Sequence, residues 1–257
     1  MLLLFTENNI ASKNIADRLI ESGFKNSGKD EWCKNGVKMI NTHAKTVLDV
    51  PTDFETDCIL VLSSHKSMKP KPMLTVHFPG NWGNADMGGK KETLNIAYAS
   101  KLRQLFVALV EKNKTGLNWE VCVEADHHGP TCDVPIIFIE IGSSENEWKD
   151  ELAGETVAQA IMNCLGSPEP AKTFLGVGGG HYAKEFSKLM LERNIAIGHI
   201  LPKYGIDEAK EEVLMQAIEK NTERLDGIIL LRESTNVKQR KKITDFAERN
   251  GITCEIV

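Results

Sequence analysis

From residue 119 onward the chain alternates short apolar runs with segments of helical period, and this rhythm restricts the fold more than any other feature. "WEVCVEA" (119–125), "VPIIFIEI" (134–141), "KTFLGV" (172–177), "IAIGHIL" (195–201), "DGIILL" (226–231) and "ITCEIV" (252–257) read as strands. The first two are apolar enough to be buried on both faces. Ser144 followed by Glu147 forms a capping box that opens a helix ending near Gly166. Later helices carry Phe186, Leu189 and Met190, then Val213, Leu214, Ala217 and Ile218, and a basic helix ends at Gly251. Strands separated in this way by helices indicate an α/β fold, with a largely parallel central sheet flanked by helices.

The first half follows the same pattern less regularly. "LLLF" (2–5) predicts a strand, followed by a helix through Ile15 and Leu19 that stops at Gly23, a left-handed cap. "CILVLSS" (58–64) and "MLTVHF" (73–78) read as strands, and a long helix is expected from about Glu92, with Leu102, Leu105, Phe106 and Leu109 on one face. The 257 residues are enough for one large core. We read 1–257 as a single α/β unit. Two intertwined subdomains, the second a smaller α/β one, are the alternative, with the junction near 63–91, a stretch rich in Gly, Pro, Lys and Asn.

Several classes are disfavoured. No apolar run approaches the roughly 20 residues of a membrane span. The start "MLLLFTENN" lacks a basic region before its apolar residues, so a leader peptide is not expected and the cytoplasm is the expected compartment. The six cysteines include no CxxC, which argues against a thiolate zinc site and a disulfide framework. A net charge of −5 argues against a generally basic, nucleic-acid-coated protein. Two local runs, "KSMKPKP" (66–72) and "KQRKK" (238–242), are cationic enough to meet phosphates.

Three polar clusters follow predicted strands, where ligands bind in open α/β sheets. They are "EADHHGPTC" (124–132), "GSSENEW" (142–148) and "GVGGGHYA" (176–183). The glycine run leads into a helix, so Gly178, Gly179 and Gly180 are candidate backbone donors to an anion. It is not a GxGxxG motif, because His181 stands where glycine is needed, and "GNADMGGKK" (83–91) is not a P-loop. "HFPGNWG" (77–83) puts His77 at a strand end and Trp82 on a loop, where an indole can stack a base or anchor the loop. His199 reads as a strand-end or core residue, and His43 and His65 lack supporting neighbours. His77, His127, His128 and His181, with Glu124 and Glu140, all fall at strand ends that can converge. Such a set suits general acid/base hydrolysis or a water-activating metal. No HExxH or GxSxG motif is present.

"HFPGNWG…GG", "EADHHGPT", "FIEIGSSENEW", "GVGGGHYA" and "GHILPKY", in this order, resemble the archaeal and plant type of D-aminoacyl-tRNA deacylase. The resemblance extends from the first strand to about residue 205. Two positions depart from the pattern: Asp126 stands where Thr is expected, and Lys184 where Pro is expected. The resemblance implies a fold related to phosphorylases and peptidyl-tRNA hydrolases. It also implies hydrolysis of the ester between a D-amino acid and the terminal ribose of tRNA, zinc dependence, a cytoplasmic location and a monomer. On this reading His127 and His128, with Glu124 near, activate water directly or through zinc. His128 faces the ester, and His127 is held by Glu124 or Asp126. His181 and the glycine run assist, with the glycine amides serving as oxyanion donors, while His77, Trp82 and Glu140 bind substrate. The expected zinc ligands are His77, His127, His128 and His181. Two other readings stay open: a non-catalytic RNA- or nucleotide-binding module, and a nucleoside phosphorylase-like enzyme.

Overall fold

The computed structural model describes residues 1–68 and 70–257. In chain order its elements are β1 (Leu2–Phe5), α1 (Ile10–Glu21), β2 (Lys25–Gly28), β3 (Glu31–Lys34), β4 (Val37–Asn41), β5 (Ile59–Lys66), β6 (Met73–His77), β7 (Gly80–Asn81), β8 (Thr93–Leu94), α2 (Ala99–Asn113) and β9 (Glu120–Val123). There follow β10 (Ile136–Ser143), α3 (Glu145–Trp148), α4 (Glu151–Asn163), β11 (Lys172–Val177), α5 (Lys184–Glu192), β12 (Ile195–Leu201), α6 (Glu211–Glu219), β13 (Leu225–Leu230), α7 (Val237–Arg249) and β14 (Cys254–Ile256). The larger sheet has the order β2-β3-β4-β1-β5-β10-β6-β9 and the smaller one β12-β11-β13-β14, and a two-stranded ribbon joins β7 to β8. The architecture is the expected α/β one. The smaller sheet is wholly parallel, and the larger is mixed, because β6 runs antiparallel to β10. The smaller sheet is drawn entirely from 172–256, while 63–91 runs through β5, β6 and β7. Among the described residues no helix is long and apolar enough to cross a membrane.

Period-two alternation decides which face of the larger sheet is which. Leu60 and Leu62 of β5, Leu74 and Val76 of β6, and Ile137, Ile139 and Ile141 of β10 point to one side. There they form one buried cluster with α1, α2 and α4 that also takes in Ile195, Ile197 and Ile200 of β12. One continuous core therefore spans both sheets. The opposite face is apolar at one end, where Leu2, Leu4, Ile59, Val61, Ile136 and Phe138 pack beneath Val47 and Val50. Farther along, the same face turns polar.

Several boundaries differ from the sequence reading, each for a tertiary reason. The helix expected from Glu92 begins at Ala99, because Glu223, 124 residues away in the chain, caps it: its carboxylate accepts from the amides of Ala99 and Ser100 at 3.2 and 3.1 Å. The helix expected over 144–166 is two helices. The Ser144/Glu147 capping box is present, but Asp150 starts a second helix by accepting from the Ala153 amide. The β2–β3–β4 ribbon was not anticipated, since "KNSG" and "EWCK" carry no apolar alternation and β2 is fully exposed.

Candidate functional site

Three neighbouring strands place their polar residues on the same face. In the register of β10 with β5 and β6, Glu140 pairs with Ser63 and Thr75, Gly142 with His65, and Phe138 with His77. Residues 138, 140 and 142 share a face, so Ser63, His65, Thr75, His77 and Glu140 all point the same way. Gly142 makes room for this: a Cβ there would lie 2.7 Å from Cβ of His65. The chain then folds the segment 124–128 over this face. The Glu124 amide donates to Val76, the Ala125 amide to the His181 carbonyl and the Asp126 amide to the Ile200 carbonyl, which brings the smaller sheet against the larger. The site thus sits on a sheet face between the two sheets rather than at strand ends.

Glu124 is its centre. The carboxylate is fully buried, and four imidazoles surround it: His181 Nε2 at 2.7 Å, His65 Nδ1 at 3.3 Å, His77 Nδ1 at 3.7 Å and His127 Nε2 at 3.9 Å. Burial pushes its pKa up, but His181 and His65 outweigh burial and hold it well below the usual carboxylate range. Burial likewise opposes the charge on His65, yet Glu124 and Glu140 raise its pKa to about 11. His65 Nε2 meets the Tyr182 hydroxyl at 2.8 Å, and Glu140 is fixed by Ser63, whose hydroxyl donates to it at 2.7 Å. Burial lowers the pKa of His77, His127 and His128, that of His127 to about 4, so these three rings are neutral.

Neutral imidazoles carry one proton each, and their partners say where it sits. His127 Nδ1 donates to the Ala125 carbonyl at 2.8 Å, leaving Nε2 as a lone pair facing Glu124. His128 Nδ1 donates to the Gly129 carbonyl, so its Nε2 accepts from His77 Nε2 at 3.0 Å. His77 Nδ1 is then a lone pair too. It has no hydrogen-bond partner. The lone pairs of His77 Nδ1 and His127 Nε2 therefore face the Glu124 carboxylate with no donor between them, which is costly for buried acceptors, and a cation there satisfies them. Within this cluster, Glu124, His127 and His181 offer ligand atoms that all lie within 4.8 Å of one another, as do His77, His127 and His128, and also His65, Glu124 and Glu140. His128 holds this geometry in a left-handed backbone conformation (φ 50°), which a non-glycine residue adopts at a cost of about 1–2 kcal/mol.

The structure brings together His77, Glu124, His127, His128, Glu140 and His181, and it corrects several expected roles. His77 is wholly buried and cannot touch a substrate directly. Glu140, 4% exposed, supports His65 instead of facing a ligand. Trp82 packs its indole in the core beside Leu201 and Ile206 and donates to the Ile200 carbonyl at 3.0 Å, so it is an anchor, not a base-stacking platform. Two of the three glycine amides are used internally: Gly178 donates to the Leu201 carbonyl and Gly179 to the Ser234 hydroxyl. They are not free oxyanion donors. Asp126 turns away from His127 and forms a buried pair with His199 at 2.7 Å. Lys184 is ion-paired with Glu120 on the surface.

Two residues that hold the site were missed. His65 looks isolated in the sequence because its partners lie 59 and 75 residues away; only the strand register reveals them. Asn95 is 2% exposed, and its side-chain amide donates to the carbonyls of Pro79 and Pro130, while its oxygen accepts from the Cys132 amide. It clamps the end of the histidine loop, and nothing in "TLNIAY" signals that.

The two cationic runs separate. In α7, Lys242 donates to the carbonyls of Ile206, Asp207 and Ala209, Arg240 to those of Arg232 and Thr235, and Lys241 pairs with Asp245. That run stabilises the helix and its neighbours. In the other run Lys69 lies outside the described residues and Lys71 pairs with Glu120, but Lys66 is exposed at the rim of the site. For the tRNA partner that the sequence resemblance implies, Lys66→Ala is expected to reduce the salt slope of binding by about one unit, and Lys241→Ala to leave it unchanged. Filter binding of uncharged tRNA at several salt concentrations checks this, and equal slopes for parent and Lys66→Ala would count against it.

Residues 52–255 match the family model described as D-aminoacyl-tRNA deacylase. Curated D-aminoacyl-tRNA deacylases of Pyrococcus furiosus and Thermococcus kodakarensis are 36% and 37% identical to this chain, and each alignment covers 98% of this chain and 97% of the relative. The crystal structure of AF0625, a conserved protein of unknown function, matches with a TM-score of 0.89 at 29% identity, over 99% of this chain and 94% of that one.

Proposed function

The chain belongs to the D-aminoacyl-tRNA deacylase family, and on that premise we infer that it hydrolyses the ester of D-aminoacyl-tRNA, releasing free D-amino acid and tRNA. This clears tRNA charged with the wrong enantiomer. The observation that carries a hydrolytic mechanism here is the side of Glu124 turned to His77 and His127, where two imidazole lone pairs face a buried carboxylate with no donor between them.

The residues fit a zinc ion. Glu124, His127 and His181 would hold it, a carboxylate and two imidazoles being a usual donor set for catalytic zinc. When bound, zinc acidifies a water molecule and polarises the ester carbonyl. The chain's own side chains do the rest. His65, with Glu140 and Ser63 behind it, fixes the carboxylate from the sheet side. His77 and His128 share one proton between their Nε2 atoms, and the unpartnered His77 Nδ1 can take another. Only His128 of this pair lines the surrounding clefts, so His128 meets the reacting groups, while His77, buried behind it, orients the ring and shares its proton. The chain is proposed to act as a monomer, the state the resemblance implies. Segments of both sheets meet at the site, through Ala125 with His181 and Asp126 with Ile200, which supports reading 1–257 as one unit. All six cysteines are free, which suits the reducing cytoplasm.

The test is single-turnover hydrolysis of D- and L-aminoacyl-tRNA by parent protein and by protein stripped of metal, with metal content verified by elemental analysis. We expect hydrolysis of the D-ester, loss of at least about 10²-fold on stripping, and recovery with zinc. Full activity in verified metal-free protein would rule out the zinc role and leave the hydrolase standing. No hydrolysis of D-aminoacyl-tRNA under any metal condition would remove the function itself.

A further inference from the structure

The histidine loop opens on two sides. His127, His128 and Met87 form a wall common to two clefts, one of about 360 Å³ and one of about 320 Å³. The first is lined by Thr46, Val47, Leu48, Ser64 and Lys66, the second by Trp82, Asp86, Pro202, Tyr204 and Glu208. Their accessible charges are opposite. Lys66 is the exposed charged group of the first cleft, whose carboxylate, Glu140, is buried against His65, Ser63 and Thr75. Asp86 and Glu208 are exposed in the second and have no ion-pair partner among the described residues, while Asp126 beneath them is taken by His199.

An aminoacyl ester is bipolar in the same sense. One side of its carbonyl carries the α-ammonium and side chain, and the other carries a ribose attached to a polyanion. A carbonyl placed against His127, on the wall the clefts share, has one side directed to each cleft. Resting on the deacylase reading above, we propose that the Asp86–Glu208 cleft receives the aminoacyl group, these carboxylates binding its α-ammonium, and that the Lys66 cleft receives the 3′ end of the tRNA. The reverse orientation sets two unpaired carboxylates against phosphate and leaves the ammonium facing a lysine, which costs affinity twice over. The apolar part of the aminoacyl cleft, Pro202 and Tyr204 with the edge of Trp82, takes the amino-acid side chain.

The test compares kcat/KM for D-aminoacyl-tRNA with that for its N-acetyl derivative, which lacks the positive charge. The parent protein, the double variant Asp86→Asn/Glu208→Gln and Lys66→Ala are assayed side by side. All three positions are exposed, so the variants are expected to fold. We expect the parent to favour the free amine by about tenfold beyond the ratio at which the two esters hydrolyse unaided, the low end for a charge-assisted hydrogen bond because the carboxylates are solvated. The double variant should bring the ratio close to the unaided one. Lys66→Ala should weaken both esters alike and preserve the ratio. A parent ratio near the unaided one, a ratio unchanged in the double variant, or a ratio lost in Lys66→Ala instead would each overturn the assignment. If the parent hydrolyses neither ester, the deacylase reading fails and the assignment falls with it, a result that none of the other outcomes resembles.

Discussion

Glu124→Gln is expected to lower single-turnover deacylation by about 10³-fold and to release bound zinc. The substitution keeps the shape of the side chain and removes the one negative charge that four imidazoles face. Removing a preorganised charged or hydrogen-bonding group from a reacting centre costs about 10²–10³ in rate, and the loss of a metal-holding carboxylate falls at the upper end. The amide also places N–H groups where the cluster has room for a cation. Glu140→Gln should do much less to the rate, because Glu140 touches only His65 and two hydroxyls. The measurements are zinc per protein by elemental analysis and single-turnover rates on D-aminoacyl-tRNA. A Glu124→Gln protein with full zinc and the parent rate would show that this carboxylate is a structural partner of His65 and nothing more.

Gly129→Ala should cost about 10²-fold in rate without altering any group that takes part in the chemistry. A Cβ at Gly129 would stand 2.4 Å from the Gly89 nitrogen and 2.6 Å from the Gly88 carbonyl carbon, both backbone atoms that cannot rotate away. The histidine loop and the 88–89 turn would have to separate, carrying His128 off its contact with His77. Displacements of about 1 Å in a reacting group cost on the order of 10² in rate. Gly180→Ala is the matched control. Its Cβ would meet nothing within 4 Å and its φ is not in the left-handed region, so the parent rate is expected even though it lies next to His181. If Gly129→Ala keeps the parent rate, the 88–89 turn does not position the histidine loop. If Gly180→Ala loses activity, the glycine run has a direct role that its internal hydrogen bonds argue against.

Much of the fold was legible in the sequence, because local patterns carry it. The second half matched strand for strand: "KTFLGV", "IAIGHIL" and "DGIILL" are β11, β12 and the core of β13, and the helices between them fall where the apolar period put them. The Gly23 stop and the Ser144/Glu147 capping box are set within a few residues of chain and were equally visible. The polar ribbon β2–β4 was not visible, since no burial marks it, and neither was the start of α2, which depends on Glu223.

The sequence by itself determined which residue types meet: histidines, carboxylates and glycines in an order that names a family. It did not determine which of them face one another. His65 belongs to the site and Trp82 to the core because of strand register and the docking of one sheet on the other. The same is true of Gly178 and Gly179, whose amides are used up by Leu201 and Ser234. A strand's alternation says that Ser63 and His65 share a face, but the partner across the sheet is fixed by β10, more than 70 residues away. Charge, proton position and metal affinity at Glu124 depend on distances of about 3–4 Å between groups that are remote in sequence. Only the folded chain sets those distances.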